Sequence, residues 1–366
     1  MINLLFMAKF DETSRGSGAA FGTHRVIHPQ GALPQAAEKL DNRPGIFDNE
    51  LQIAVDTLHI DSASFSQMME QVKQQGGASM AEGIETIILQ NIEQRGKQIN
   101  SITGSGGMLM GRVSQVGKSY HGPEKFQKGD EVATLVSLTL TPLLIDRIKE
   151  VHVQGNRKGQ VDCEGTAIVF SDAPVSKIPK DLPREVALSI LDVCGAPAQV
   201  KRMVQPKQNI LILGAGGKSG LLCLAQARKS LGKTGVLMAI DYSNESVARI
   251  EKLKAVDHVA EGNAQNPMEI YSIVSEWTKG RLCDLVINTA NVRQTEMATI
   301  LSCRSEGTAY FFNMATSFPK ATLGAEGIGK DVLLVMGNGF TPGHAQLSLD
   351  LVREDKTLLN CFRSTH

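Results

Sequence analysis

The stretch Ile210-Leu-Ile-Leu-Gly-Ala-Gly-Gly-Lys-Ser-Gly220 decides the fold of the second half of the chain. Four apolar residues in a row read as a strand buried on both faces. The glycines that follow, opening onto an apolar-periodic run from Leu221, complete a strand, turn and helix. In that context Gly214 allows the tight turn, and Gly216 and Gly217 let backbone approach an anion at the helix N-terminus. Lys218 and Ser219 open the helix and are read with the glycines as cofactor-binding, Lys218 either touching a phosphate as a point charge or lying as a surface lysine on the first helical turn. A strict GxGxxG would place its third glycine at Ser219, whereas this chain has Gly220 one residue later, so helix-on-strand packing should differ there. Asp241 ends the next apolar run, Val236 to Ile240, where a carboxylate accepts the ribose hydroxyls of NAD and repels a 2′-phosphate. Tyr242-Ser243-Asn244 brings no arginine to favour NADP, which stays the alternative cofactor. The GKS triplet also imitates a P-loop, but Ile212 stands where that motif needs its first glycine, which excludes an NTPase.

Outward from the turn, short apolar strands alternate with helical patterns as far as Val332-Leu-Leu-Val-Met336. Such alternation specifies a parallel sheet covered on both faces. Asn288 and Asn313 follow two of these strands, at the edge where open α/β sheets bind ligands, and are read as cofactor-binding. Before Pro174, Pro179 and Pro183 the pattern differs: Gln52 to Asp56, Met108 to Ser114, Glu131 to Ser137 and Gly165 to Phe170 are short and partly β-branched, as in an antiparallel β domain. The fold expected is therefore α/β in class, with a β-rich domain over residues 1–182 and a Rossmann doubly wound parallel sheet over 183–366. The Gln- and Glu-rich stretch Gln67 to Gln98, broken at Gly76-Gly77, reads as a solvated helical insertion.

The 366 residues carry 38 Lys+Arg and 38 Asp+Glu, so no long-range field favours nucleic acid or an anionic membrane as a partner. No apolar run is long enough to span a membrane. The opening Met1 to Met7 lacks the preceding positive charge of a signal peptide. Six cysteines without a CxxC pair point to a reduced, cytoplasmic protein.

Three words, Gly104 to Gly117, Phe126-Gln-Lys-Gly-Asp-Glu-Val132 and Ile178-Pro-Lys-Asp-Leu-Pro-Arg-Glu-Val-Ala187, stand in the order of landmarks of the medium-chain dehydrogenase/reductase superfamily, which the sequence resembles over nearly its whole length. Further words, among them Gly22-Thr-His-Arg-Val-Ile27, Ile60-Asp-Ser-Ala-Ser-Phe65, Thr134 to Pro142, Cys194-Gly-Ala-Pro-Ala-Gln199 and Met314-Ala-Thr-Ser-Phe318, are similar to a zinc-free, amine-oxidising branch of it. The resemblance implies a GroES-like N-terminal domain and a homodimer. It also implies NAD-dependent oxidative deamination of a 3,5-diaminohexanoate to 5-amino-3-oxohexanoate and ammonium in lysine fermentation. The competing readings are a zinc-free quinone or enoyl reductase and a non-enzymatic dinucleotide sensor.

Zinc-dependent members hold three protein ligands, and here Ile60-Asp61 and Gly104-Ser-Gly106 replace the first two, so no metal is expected. Losing zinc suits an amine. Hydride loss from an amine develops an iminium cation, which a carboxylate stabilises and a divalent metal repels. Asp61 is therefore nominated as the carboxylate facing the reacting nitrogen, with Ser62 and Ser105 as hydrogen-bond partners. An Asp followed by Ser is equally a helix N-cap. Arg25 is the candidate clamp for the substrate carboxylate, since a guanidinium grips one bidentately.

Overall fold

A computed structural model describes residues 16–76, 79–102, 104–135 and 137–364; the opening Met1 to Met7 lies outside the described residues. The chain divides into two compact units, one ending at Pro179 and the other starting at Lys180. The expected α/β class is found, with an antiparallel sheet in the first unit and a parallel sheet in the second.

In the first unit β1 (Val26–His28) and β2 (Lys39–Leu40) form a small ribbon ahead of β3 (Glu50–His59). Two helices follow, α1 (Ser62–Gln75) and α2 (Met80–Arg95), then β4 (Met108–Val116), β5 (Glu131–Thr134), β6 (Leu143–Val151), β7 (Gln160–Phe170) and β8 (Val175–Lys177). The six-stranded sheet runs β6-β7-β3-β4-β5-β8, antiparallel throughout, with β3 central. Because β3 has neighbours on both edges, Leu51, Ile53, Val55 and Leu58 are all buried.

The helical insertion departs from its expected solvated character. Ile84, Ile88 and Ile92 recur every four residues along α2 and are buried in the same core as Leu51 and Val161. Phe65, Met68 and Val72 do the same for α1. The glutamines and glutamates occupy the outer faces, which hid a complete apolar stripe from a reading by composition.

The second unit opens with α3 (Arg184–Leu191) and α4 (Gly195–Met203). Then come β9 (Asn209–Leu213), α5 (Lys218–Leu231), β10 (Val236–Asp241), α6 (Asn244–Leu253), β11 (His258–Glu261), α7 (Pro267–Thr278) and β12 (Cys283–Asn288). α8 (Glu296–Ser302), β13 (Cys303–Phe311), α9 (Phe318–Gly327), β14 (Val332–Met336), α10 (His344–Glu354) and α11 (Lys356–Ser364) complete it. The sheet is wholly parallel, ordered β11-β10-β9-β12-β13-β14. Its order reverses between β9 and β12, and the carboxyl ends at such a reversal form a ligand crevice. Ile210 to Leu213 are fully buried, with one apolar cluster on each face of the sheet. Among the described residues the chain after Arg353 makes no return strand; Leu358, Cys361 and Phe362 bury one face of α11. All six cysteines are buried free thiols. Among the described residues, no helix is long and apolar enough to cross a membrane.

Candidate active site

The turn between β9 and α5 is built by glycines that nothing larger can replace. Gly214 has φ +72°, and a Cβ there would lie 2.6 Å from the Ala290 backbone nitrogen. A Cβ on Gly216 would sit 2.6 Å from Ser246 Cβ. Gly220 carries the role that strict spacing gives to residue 219: its Cβ would lie 2.4 Å from the Gly214 carbonyl oxygen and 2.6 Å from Ala215 Cα. The helix packs on the turn one residue later than the fingerprint prescribes. We expect Gly220→Ala to cost about 1–3 kcal/mol through overpacking, and Ser219→Ala to be nearly silent. Thermal denaturation of the two variants checks the assignment.

Gly217, by contrast, is exposed and meets only the Gly214 carbonyl at 3.5 Å, so its outer side is open. It is also the N-cap of α5, where no side chain caps the first turn and no acidic residue stands in it. The amides of that turn are thus directed to an outside acceptor, and the helix dipole favours an anionic one. Asp241 reaches into the same turn: its Oδ2 accepts from the Gly216 amide at 2.8 Å and its Oδ1 from the Tyr242 amide at 2.8 Å. These residues fit a dinucleotide pyrophosphate with its ribose at Asp241.

Asn288 has a different place from the expected one. It is fully buried, and its Nδ2 donates to the Thr295 and Thr299 hydroxyls at 2.8 Å each, while its Oδ1 accepts from the Ala290 amide. Asn313 donates to Asn288 Oδ1 at 3.4 Å and accepts from the Ala315 amide and the Thr316 hydroxyl at 3.0 Å. Both side chains pin the loops that leave β12 and β13, and the Asn288 amide has nothing left to offer a cofactor. The signal that missed this is local: an Asn after a strand reads alike whether it faces a ligand or ties two loops.

In the first unit Asp61 is the N-cap of α1, its Oδ1 accepting from the Ser64 amide at 2.9 Å. The N-cap alternative is therefore correct for that oxygen. Among the described residues the other oxygen, Oδ2, is buried without a hydrogen-bond partner, so the cap accounts for half of the carboxylate. Ser62 is exposed at the start of α1, and no hydrogen bond ties it to Asp61. The loop that carries Ser105 runs beside the start of α1: a Cβ on Gly107 would lie 2.8 Å from Ile60 Cα, Asn100 joins the loop to α1 through Gln67 Oε1 at 2.8 Å, and the Ser105 carbonyl accepts from the Asn100 amide at 2.7 Å. Gln98, just before this loop, was passed over in sequence: it is wholly buried, both of its amide atoms are unpaired among the described residues, and its carbonyl packs against Gly106.

Arg25 is not a substrate clamp. It is wholly buried, its Nε and Nη2 donate to the two oxygens of Glu50 at 2.9 and 2.6 Å, and its remaining donors meet the carbonyls of Asp41, Arg43 and Gly45. Burial alone would raise the Glu50 carboxyl, but hydrogen bonds from His24 and Arg25 hold it below the ordinary carboxylate range. Every guanidinium proton is spent inside the fold.

The sequence gives these sites their kinship. It is 43% identical over 349 residues to L-erythro-3,5-diaminohexanoate dehydrogenase of Acetoanaerobium sticklandii, a match covering 95% of this chain and 99% of that protein. The chain belongs to the L-erythro-3,5-diaminohexanoate dehydrogenase family. The enzyme of the same name from Fusobacterium nucleatum subsp. nucleatum is 42% identical over the same shares. The family profile for the L-erythro-3,5-diaminohexanoate dehydrogenase N-terminal domain matches residues 24–179, the first unit. Among solved structures the fold is similar to the CurK enoyl reductase, with TM-score 0.54, 17% identity and 85% of this chain on 81% of that one. A quinone oxidoreductase of Pseudomonas syringae is similar too, with TM-score 0.50, 16% identity and 91% of this chain on 86% of that one. A diaminohexanoate dehydrogenase family member thus shares the fold of these two structures, and this chain is an oxidoreductase.

Proposed function

We propose that the protein oxidises the C3 amine of L-erythro-3,5-diaminohexanoate with NAD, yielding 5-amino-3-oxohexanoate and ammonium, a step of lysine fermentation in the cytoplasm. The observation that carries this reading is the 43% identity, over nearly the full length of both chains, to an enzyme of that name. A nicotinamide dinucleotide bound at the β9–α5 turn supplies the hydride acceptor. Gly214, Gly216 and Gly217 shape that turn, the amides of Lys218 and Ser219 take the pyrophosphate, and Asp241 takes the ribose. Asn313, which anchors the loop after β13, borders the same crevice. A carboxylate at the ribose disfavours a 2′-phosphate, which is why NAD is preferred to NADP.

In the first unit Asp61 Oδ2 is the carboxylate oxygen turned to the reacting nitrogen, where it steadies the iminium that forms as hydride leaves C3. Ser62 and Ser105 stand beside it as hydrogen-bonding groups for the substrate. The substrate carboxylate needs a cation other than Arg25. Initial rates of NADH formation at alkaline pH with the diamino acid, repeated with NADP and with an enone plus NADH, test the reading. Turnover of the diamino acid supports it; enone reduction without diamino acid turnover replaces it with a reductase.

The partner we propose is a second copy of the chain. β14 is an edge strand of the parallel sheet, and Leu333 on it and Phe318 and Leu323 on α9 are each more than 60% exposed. An open edge beside exposed apolar side chains is a template for pairing. Leu333→Arg is expected to yield a monomer in sedimentation velocity where the wild type is a dimer.

A further inference from the structure

Arg249 is a guanidinium that the fold surrounds without giving it an anion. It lies half-buried on α6, and its Nη2 donates to the Ser246 hydroxyl at 2.9 Å. Its Nε is buried without a hydrogen-bond partner, and no carboxylate pairs with it among the described residues. Glu245, one turn back and exposed, stands at the i, i+4 spacing where a helical arginine ordinarily finds its partner, yet the side chain takes the inner course to Ser246 instead. A charge held there without a counter-charge is costly, so its complement is an anion that binds and leaves.

Two observations place the guanidinium beside the glycine turn, on its ribose side. A Cβ on Gly216 would lie 2.6 Å from Ser246 Cβ and 2.9 Å from the Ser246 carbonyl oxygen, so the residue that Arg249 holds packs directly on the turn. Ser246 Oγ also lies 3.1 Å from Ser243 Oγ, and Ser243, the N-cap of α6, follows Asp241 by two residues. A hydrogen-bonded row thus leads from the segment after Asp241 through two serine hydroxyls to Arg249. Asp241 itself is not a bare charge, because its two oxygens accept from the Gly216 and Tyr242 amides. All of these residues belong to the second unit.

Resting on the reading that a nicotinamide dinucleotide occupies this turn, we propose that Ser243, Ser246 and Arg249 form a subsite for the 2′-phosphate of NADP, so that the phosphorylated dinucleotide is a second hydride acceptor beside NAD. A 2′-phosphate leaves the ribose next to the hydroxyls assigned to Asp241, where the serine hydroxyls donate to it and the guanidinium neutralises it. Asp241 keeps NAD ahead, and Arg249 narrows the gap. The arginine escapes a reading of Tyr242-Ser243-Asn244 because it stands more than a helical turn further on, and its side chain comes back toward the start of α6 only because helical side chains lean that way.

NADH and NADPH differ only in that phosphate, and fluorescence titration of each against the full chain reads binding without turnover. The wild type is expected to bind NADPH within about tenfold of NADH. Arg249→Met should weaken NADPH by about 10–100-fold, the loss of a charged hydrogen-bonding partner, and leave NADH unchanged within about twofold. Arg249→Lys should recover part of the NADPH affinity, since a point charge remains where the planar fork is lost. Competition by adenosine 2′,5′-bisphosphate and by adenosine 5′-monophosphate, on the same variants, should show the same selective loss and so locate it at the adenosine end. A wild type that binds NADH but not NADPH, an NADPH affinity indifferent to residue 249, or an equal loss of both dinucleotides in Arg249→Met and Arg249→Lys overturns the proposal. If the wild type binds neither dinucleotide, the functional reading at the turn falls and takes this inference with it.

Discussion

Arg25→Met is expected to cost about 3–5 kcal/mol of stability while leaving the KM for the amino acid substrate unchanged. The reason is the pairing of two wholly buried charges. Arg25 meets both oxygens of Glu50 and three backbone carbonyls, so its removal strands a carboxylate and several acceptors where water cannot reach them. His24 stays at 2.7 Å from Glu50 Oε1 and satisfies that oxygen in part. For a unit of this size the loss corresponds to a melting temperature lower by roughly 10 °C. The pH dependence has a definite sign. With its guanidinium gone, the buried Glu50 carboxyl moves above the ordinary carboxylate range, so the variant's deficit is largest at neutral pH and shrinks on acidification as Glu50 takes up a proton. In the wild type the shift is the opposite, and the stability Glu50 contributes is lost only as pH falls through its lowered pKa. Arg25→Met combined with Glu50→Leu should recover part of the loss, because an apolar pair has no stranded charge. An unchanged melting temperature with a raised KM would return Arg25 to the substrate.

Asp61→Asn is expected to lower the rate of deamination by about 10²–10⁴-fold with little change in stability. Asparagine caps a helix about as well as aspartate, so the bond from the Ser64 amide survives and α1 stays in place. What the substitution removes is the negative charge at Oδ2, the oxygen that has no partner among the described residues. Asp61→Ala is the companion variant: it loses the cap as well, at about 1 kcal/mol, and should be no slower than the asparagine variant. Calorimetry and initial rates on the three proteins separate the two duties of one side chain. A fully active Asp61→Asn would reduce Asp61 to a cap.

How far the fold could be read in advance follows from which interactions are local. The second unit was legible because each feature sits within a few residues of its cause: Ile210 to Leu213 are apolar in an unbroken run, and the glycines that turn the chain come straight after. The insertion was misread because α2 presents a buried face of only three isoleucines, Ile84, Ile88 and Ile92, amid polar neighbours. Arg25 was misassigned for the opposite reason. Its partner Glu50 is 25 residues away, at the start of β3, and no local pattern distinguishes a guanidinium that meets a buried carboxylate from one that meets a ligand. Asn288 and Asn313 belong to the same class, since each is explained by the other and by Thr295, Thr299 and Thr316. Asp61 falls between: its cap was visible in the Asp-Ser order, whereas the unpaired state of its second oxygen depends on packing by segments remote in sequence.

Asp241 is the hub of two bonds that a cofactor exchange would have to part. Its Oδ2 anchors the Gly216 amide, while in the function proposed above the same carboxylate reads the ribose. Exchanging it for a small neutral residue, the usual first move toward a phosphorylated ribose, would also release the turn that must grip the pyrophosphate. Selectivity and grip are coupled variables in this protein. A lineage or an engineer changing the preferred dinucleotide must therefore supply a replacement acceptor for Gly216 before or together with any cation for the extra phosphate, so the route between the two specificities has at least two steps and a weak-binding intermediate.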